Sequence, residues 1–413
     1  MIKKILHTSD WHIGRRLKEH DRYEEFKEFF TWLEELIYTE NIDTLLVAGD
    51  IFDNTTPSPK AQNLYYSFLS KIANSSSCRH VVITSGNHDS PAFIDAPSEI
   101  LKLCKIHVIG CACENPEDEI VELKDENGQL ELVVCAVPYL RDYDVRTVTA
   151  DDNFHDIDNA LCEGIRNHYE KVFTKAQSYS GVPVIAMGHL FVKGGSVRKD
   201  EGVRSLYVGT AVEIRYEIFP EFLTYTALGH LHSPQFVGRE NIRYSGSPIP
   251  MTFGEAEREK SVCILELDGK NLLNIKQVPV PIFQRLERVS GSLDKIYAEI
   301  KKLAEESIDD NISIWLEATH TGEEFIADIQ KDLQDYVKNF PGIEILSIQD
   351  LAVKRIIDVD TGILPNTGLS DFSPINIFEN LLAKKNLSED AQAEYKRMYN
   401  EIIHEIEAGG VKS

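Results

Sequence analysis

Seven side chains of metal-ligating type occur at the ends of five short apolar runs in this chain: Asp10, His12, Asp50, Asn87, His189, His230 and His232. Thr44-Leu45-Leu46-Val47 runs into Gly49-Asp50, and Val81-Val82-Ile83-Thr84 runs into Gly86-Asn87-His88-Asp89. Ile5-Leu6 leads to Asp10 and His12, Val184 to Met187 leads to Gly188-His189, and Tyr225 to Leu228 leads to Gly229-His230-Leu231-His232. Imidazole, carboxylate and amide oxygen together suit Mn2+, Fe2+ or Zn2+ better than an all-oxygen Mg2+ site or a thiolate site would. One carboxylate able to bridge two ions would make this a two-metal centre. His88 follows Asn87 directly and is expected beside the ions, where it would protonate a leaving alkoxide or hydrogen-bond a phosphate oxygen. Asp53 and Asp89 are expected either to hold ligating histidines or to serve as turn and cap residues.

The elements that must position these groups are legible as periodicity. Apolar residues at Phe26, Phe29, Phe30, Leu33, Leu36 and Ile37 predict a helix over 23–38. Leu64, Tyr65, Phe68, Leu69 and Ile72 predict another over 59–72, and 98–103 and 159–173 read as shorter or weaker helices. Asn127-Gly128 between two apolar runs predicts a hairpin. Runs at 242–244, 261–265 and 273–280 are expected to form the second sheet of a sandwich with helices outside it. The fold class is therefore α/β, with the ligands at the carboxyl ends of strands. Residues 1–280 would form the main domain and 281–353 a smaller α/β unit. Residues 354–372, rich in Gly, Pro, Asn and Thr, read as a linker. Residues 373–408, opened by Ser373-Pro374, read as a helical hairpin that docks on its own domain or on a partner.

Composition narrows the partners. The chain has 413 residues and a formal net charge of −24, which opposes general attraction to nucleic acid or anionic membrane. Any polyanionic substrate must be held by bound cations, by local basic clusters or by a partner. Arg15 and Arg16, Lys193 and Arg198 supply such clusters near the motifs, with solvated surface charge as the plain alternative for each. Seven scattered cysteines, with Cys111-Ala112-Cys113 lacking a matching pair, fit reduced thiols in the cytoplasm. No long apolar run predicts a transmembrane helix, and the amino terminus reads as a first strand.

Asp10-Trp11-His12, Gly49-Asp50-Ile51-Phe52-Asp53, Gly86-Asn87-His88-Asp89, Gly188-His189 and Gly229-His230-Leu231-His232 together resemble the signature of the calcineurin-like metallophosphoesterases. The flanking Arg243-Tyr244-Ser245-Gly246-Ser247-Pro248 is similar to the branch of that family that serves as the nuclease component of bacterial ATP-driven complexes. The resemblance implies a β-sandwich flanked by helices with a small capping domain. It implies two Mn2+ per chain, or Mg2+ or another divalent ion, with Asp10, His12, Asp50 and His232 on one and Asp50, Asn87, His189 and His230 on the other. It implies 3′→5′ exonuclease action on duplex DNA ends and endonuclease action on single strands, with His88 assisting the departing sugar oxygen. It also implies DNA contacts at Ser245 and Ser247, a homodimer within a heterotetramer, and a coiled-coil ATPase partner for the terminal helices. Two other readings stay open. One is a phosphomonoesterase or protein phosphatase, weakened because Asn54 stands where protein phosphatases of this fold carry arginine. The other is a non-catalytic assembly protein, weakened by the intact ligand set.

Overall fold

A computed structural model describes residues 2–74, 77–145, 154–179, 181–196, 214–307, 312–322 and 328–351. The linker and hairpin expected over 354–372 and 373–408, and Arg198, lie outside the described residues. The chain divides into two compact units at Glu287/Arg288.

The larger unit is built on two six-stranded sheets. In the first, the order is Asn271–Pro279, Ser261–Asp268, Lys3–Thr8, Thr44–Ala48, His80–Thr84, Ile106–Ile109. In the second it is Gln235–Val237, Arg239–Tyr244, Tyr225–Gly229, Val184–His189, Leu130–Ala136, Ile120–Lys124. The central strands of each are parallel: Leu6 pairs with Leu45, Val47 with Ile83, and Gly229 with His189. Parallel strands covered on both faces must be apolar throughout, and Thr44–Ala48, His80–Thr84 and Val184–His189 are buried at every position.

Alternate side chains separate into distinct cores. Ile5, Leu46, Ala48 and Val82 face Val134, Ala136, Ile185, Met187 and Ala227 between the sheets. Leu6, Leu45 and Val47 turn outward onto the helices Tyr23–Thr39 and Pro59–Ala73. Val133, Cys135 and Ala186 turn the other way, onto Phe154–Ala176. Helix, sheet, sheet, helix is therefore the layering, as the α/β sandwich reading expects. Pro59–Ala73 starts where the chemistry of its first residues says it should: the Ser58 hydroxyl accepts the Ala61 amide and Pro59 occupies the first turn.

One expectation fails. The strands Ser261–Asp268 and Asn271–Pro279 do not join the second sheet; they extend the first, with Ser261–Asp268 antiparallel to Lys3–Thr8 from Lys3↔Leu267 to His7↔Cys263. Only Arg239–Tyr244 belongs to the second sheet, parallel to Tyr225–Gly229. Two-residue alternation marks a strand as half-buried without saying against which neighbour, so pairing over more than two hundred residues leaves no local signal. The hairpin at Asn127-Gly128 is present, with Gly128 at φ +78°, while the helix expected from residue 159 starts earlier, at Phe154.

The smaller unit holds a three-stranded sheet, Arg285–Gly291, Ile314–His320 and Ile343–Asp350, in that order, with helices Leu293–Ser307 and Ile329–Val337. Ile296, Ile300, Leu316 and Leu333 fill its core.

Candidate metal centre

The ligand candidates come from both sheets at the carboxyl ends of their parallel strands. Asp10, Asp50 and Asn87 follow Lys3–Thr8, Thr44–Ala48 and His80–Thr84; His189 ends Val184–His189 and His230 follows Tyr225–Gly229. The backbone is forced there. Asp10 (φ +52°), His12 (+49°), Asp50 (+51°) and His230 (+101°) all sit in the left-handed region, each at a cost of about 1–3 kcal/mol that the surrounding packing must hold in place. Trp11 is one source of that hold. Buried completely between two ligand candidates, it meets Phe30 and Phe68 edge-on at 5.0 and 5.7 Å and donates Nε1–H to Thr8 Oγ1 at 3.0 Å.

Close approach explains two glycines. A Cβ on Gly229 would lie 1.8 Å from the Ala48 carbonyl oxygen, and one on Gly86 would lie 2.1 Å from Asp50 Oδ1. The two sheets and the two Gly-rich turns meet too closely there for any side chain.

The polar atoms converge around Asp50. Its Oδ2 lies 3.6 Å from His12 Nε2 and 3.3 Å from His189 Nε2. Ligand atoms of Asp10, His12 and His232 lie within 4.8 Å of one another, and the same holds for Asp10, Asp50 and His189 and for His12, Asp50 and His88. Asn87 Oδ1 is 3.1 Å from His189 Nε2 and 3.3 Å from His230 Nδ1. All seven candidates are thus brought into one cluster.

The donor set fits divalent cations, and hydrogen bonding shows why. His189 Nδ1 faces the Ala48 carbonyl at 2.9 Å, so it carries a proton and leaves Nε2 to face Asp50 and Asn87, both acceptors. His232 Nδ1 faces Glu255 Oε1 at 3.0 Å, which turns its Nε2 lone pair toward His12 Nε2, 3.2 Å away. Buried acceptors facing acceptors require positive charge between them. The electrostatics say the same. Burial disfavours charge on His189, yet Asp50 and Asp10 outweigh it and lift its pKa to about 9. Burial likewise opposes the raised pKa of His12, which Asp53, Asp50 and Asp10 enforce. Burial opposes ionisation of Asp50 too, but His189, His12 and His88 hold it well below the usual carboxylate range. His230, by contrast, is driven well below its ordinary value by burial and by His189 beside it.

His88 stands to one side, half-buried, its ring 4.8 Å from that of His12 and its Nδ1 2.9 Å from the Asp53 carbonyl. Burial, with His12 nearby, keeps its pKa below the ordinary value against the pull of Asp50. Asp53 reaches His12 Nδ1 at 3.4 Å and accepts from Arg15 Nη1 at 3.0 Å. Of the two roles expected for Asp89, the contacts are those of a turn residue. Its carboxylate accepts the amides of Ile51, Phe52 and Gly86 at 3.0, 2.9 and 2.8 Å, so it ties the two Gly-turn loops together.

Ser245 and Ser247, expected at the DNA, are fully buried behind the site. The Ser245 hydroxyl bonds Ser9 Oγ at 2.8 Å, and Ser9 bonds Asp10; Ser247 Oγ receives Lys260 Nζ at 2.8 Å. Short hydroxyls suit such bracing beneath a ligand loop, and their depth takes them away from any phosphate. Arg16 and Lys193 are exposed, Arg16 bonding Glu19. Sequence reasoning missed Glu255 and Lys260: they carry no motif and lie more than twenty residues beyond the histidine they serve.

A family model described as calcineurin-like phosphoesterase matches residues 3–234, and one described as type 5 capsule protein repressor C-terminal domain matches residues 282–386. The D component of the nuclease SbcCD from Escherichia coli is 31% identical over 410 residues, covering 98% of each chain. The component of the same name from Rhodobacter capsulatus is 32% identical over 309 residues, 73% of this chain and 76% of its own. That from Bacillus subtilis is 33% identical over 271 residues, 64% and 66% respectively. Among the described residues, no helix is long and apolar enough to cross a membrane.

Proposed function

The chain belongs to the calcineurin-like phosphoesterase family and to its SbcD nuclease branch, a metal-dependent phosphodiester hydrolase, and from that premise we propose a specific reaction. It degrades duplex DNA ends 3′→5′ and cuts single strands and hairpins, with two Mn2+ per chain and an SbcC-type ATPase as partner. The observation that carries the reading is Asp50, one oxygen of which stands 3.6 Å from His12 and 3.3 Å from His189, between the two groups of ligand candidates. Asp10, His12 and His232 would hold one cation and Asn87, His189 and His230 the other, with Asp50 shared. Divalent cations so held supply Lewis acidity toward a phosphoryl oxygen and a more acidic water.

The chain's own residues do the rest. His88, fixed through Nδ1 by the Asp53 carbonyl, would offer Nε2 to a leaving sugar oxygen. Placed there in its protonated form, His88 would give its proton to the leaving oxygen. Asp89 keeps the Asp50 and Asn87 turns in register through its three amide bonds. Arg15, tied to Asp53, together with Arg16, Lys193 and Arg198, would meet flanking phosphates, weakly enough at a net charge of −24 that the partner supplies most of the DNA affinity. A homodimer within a heterotetramer would use the exposed Ile100 and Leu103, and residues 373–408 would dock on the ATPase.

The test is Mn2+-dependent degradation of 3′- and 5′-labelled duplex DNA by the parent chain, His88→Gln and Asp50→Ala, beside p-nitrophenyl phosphate. Loss of DNA cleavage in both variants with little monoester turnover supports the proposal. Strong monoester hydrolysis without DNA cleavage overturns it in favour of a phosphomonoesterase, and neither activity, with an ATPase partner and ATP present, in favour of a non-catalytic assembly protein.

A further inference from the structure

One turn, residues 255–260, sends three side chains to the loop that carries His230 and His232. Glu255 Oε1 meets His232 Nδ1 at 3.0 Å, Lys260 Nζ meets the His232 carbonyl at 3.0 Å, and Arg258 donates to Ser233 Oγ. The Glu255 carboxylate, itself only 1% exposed, cannot swing away. Its other oxygen accepts Lys260 Nζ at 2.7 Å, the Met251 amide at 3.1 Å and the Ser247 hydroxyl at 3.4 Å. Burial opposes ionisation there, but Lys260 and His232 hold Glu255 well below the usual carboxylate range.

We propose that Glu255 is a positioning residue for the cation site bounded by Asp10, His12 and His232, a role that rests on His232 being a ligand. A carboxylate on Nδ1 fixes the proton there, aims the Nε2 lone pair at the site and makes that nitrogen a stronger donor. Lys260 acts as the counter-charge that keeps the carboxylate ionised in the interior and pins the His232 backbone at the same time. The two halves of the centre are thereby unequal. His189 is oriented by a neutral carbonyl, that of Ala48, and His232 by a charged carboxylate. A purely structural Glu255–Lys260 pair would need no bond to the imidazole, and a lysine paired elsewhere would have no reason to reach the His232 carbonyl.

The experiment is Mn2+ titration calorimetry on the full chain, comparing parent, Glu255→Gln, Glu255→Gln/Lys260→Met and His232→Ala, with thermal midpoints recorded in EDTA. Removing both charges leaves no unpaired buried ion, so the double variant tests the role without the folding cost of the single one. The expected result is a loss of Mn2+ association of about 10- to 100-fold at one site in the Glu255 variants, with the double variant's EDTA midpoint close to the parent's. Parental Mn2+ affinity in a folded Glu255 variant, with His232→Ala weakened, overturns the proposal alone. Parental affinity in His232→Ala overturns the ligand reading beneath it. If neither Glu255 variant folds, the 15N spectrum of the parent's histidines in EDTA decides: a His232 proton on Nδ1 supports the proposal, and one on Nε2 refutes it.

Discussion

His7 makes acid sensitivity calculable. It lies wholly buried in the strand Lys3–Thr8, with Nδ1 3.0 Å from the Tyr225 hydroxyl. Burial lowers its pKa from 6.5 to about 3, the Leu228 carbonyl offsetting part of this and Arg243 adding to it. The folded-state value is depressed, so between these limits the unfolded chain binds a proton that the folded chain refuses. Stability must then fall as pH falls below 6.5. At about 1.36 kcal/mol per unit, lowering the pH to about 5 removes about 2 kcal/mol through this residue alone. His7→Gln cannot titrate and should lack that component. Urea unfolding of parent and variant in EDTA, followed by tryptophan fluorescence at about pH 7.5 and about pH 5, isolates it, since every other titrating group cancels in the double difference. The parent should lose about 2 kcal/mol more than the variant, with equal slopes in urea. Equal losses in the two chains would refute the assignment of the buried neutral imidazole.

Gly229→Ala would place a methyl 1.8 Å from the Ala48 carbonyl oxygen, prising the two sheets apart at the ligands; Mn2+ binding by calorimetry should be lost while far-ultraviolet circular dichroism still shows a folded chain. Trp11→Ala removes the anchor between Asp10 and His12 and should cost about 3–5 kcal/mol in denaturant unfolding, with Mn2+ affinity falling in the fraction that remains folded.

The candidate site was more legible than the frame around it. Each ligand candidate sits at the end of an apolar run, where chain order and chemistry coincide, so Asp10 through His232 could be picked out without knowing how the sheets are ordered. Helical stripes such as Phe26, Phe29, Phe30 and Leu33 survive because burial on one face repeats every turn. What stayed hidden was whatever depends on a partner far along the chain. Nothing local in Ser261–Asp268 says that it pairs with Lys3–Thr8. Nothing in Phe253-Gly254-Glu255 announces a bond to His232. Ser245 and Ser247 were misplaced because a hydroxyl reads the same in sequence whether it faces a phosphate or supports the loop beneath one. A histidine partner for Asp89 looked as natural as a turn role because side chains near a metal motif suggest metal chemistry, whereas backbone amides leave no trace in residue types.

The pairing of Lys3–Thr8 with Ser261–Asp268 also sets an order on the birth of the protein. Synthesis delivers the parallel neighbour of Lys3–Thr8, Thr44–Ala48, some forty residues after the strand itself. Its other side waits until Leu267 has left the ribosome. Through that interval the strand leading to Asp10 presents a bare row of backbone donors and acceptors, with apolar Ile5 and Leu6 beside it, open to any extended segment that drifts past. The positive charge of Lys3 and Lys4 at its entrance is the one deterrent in the strand itself against adopting a stranger. Completion of the first sheet, and with it a settled Asp10, therefore waits on a strand made more than two hundred residues after it.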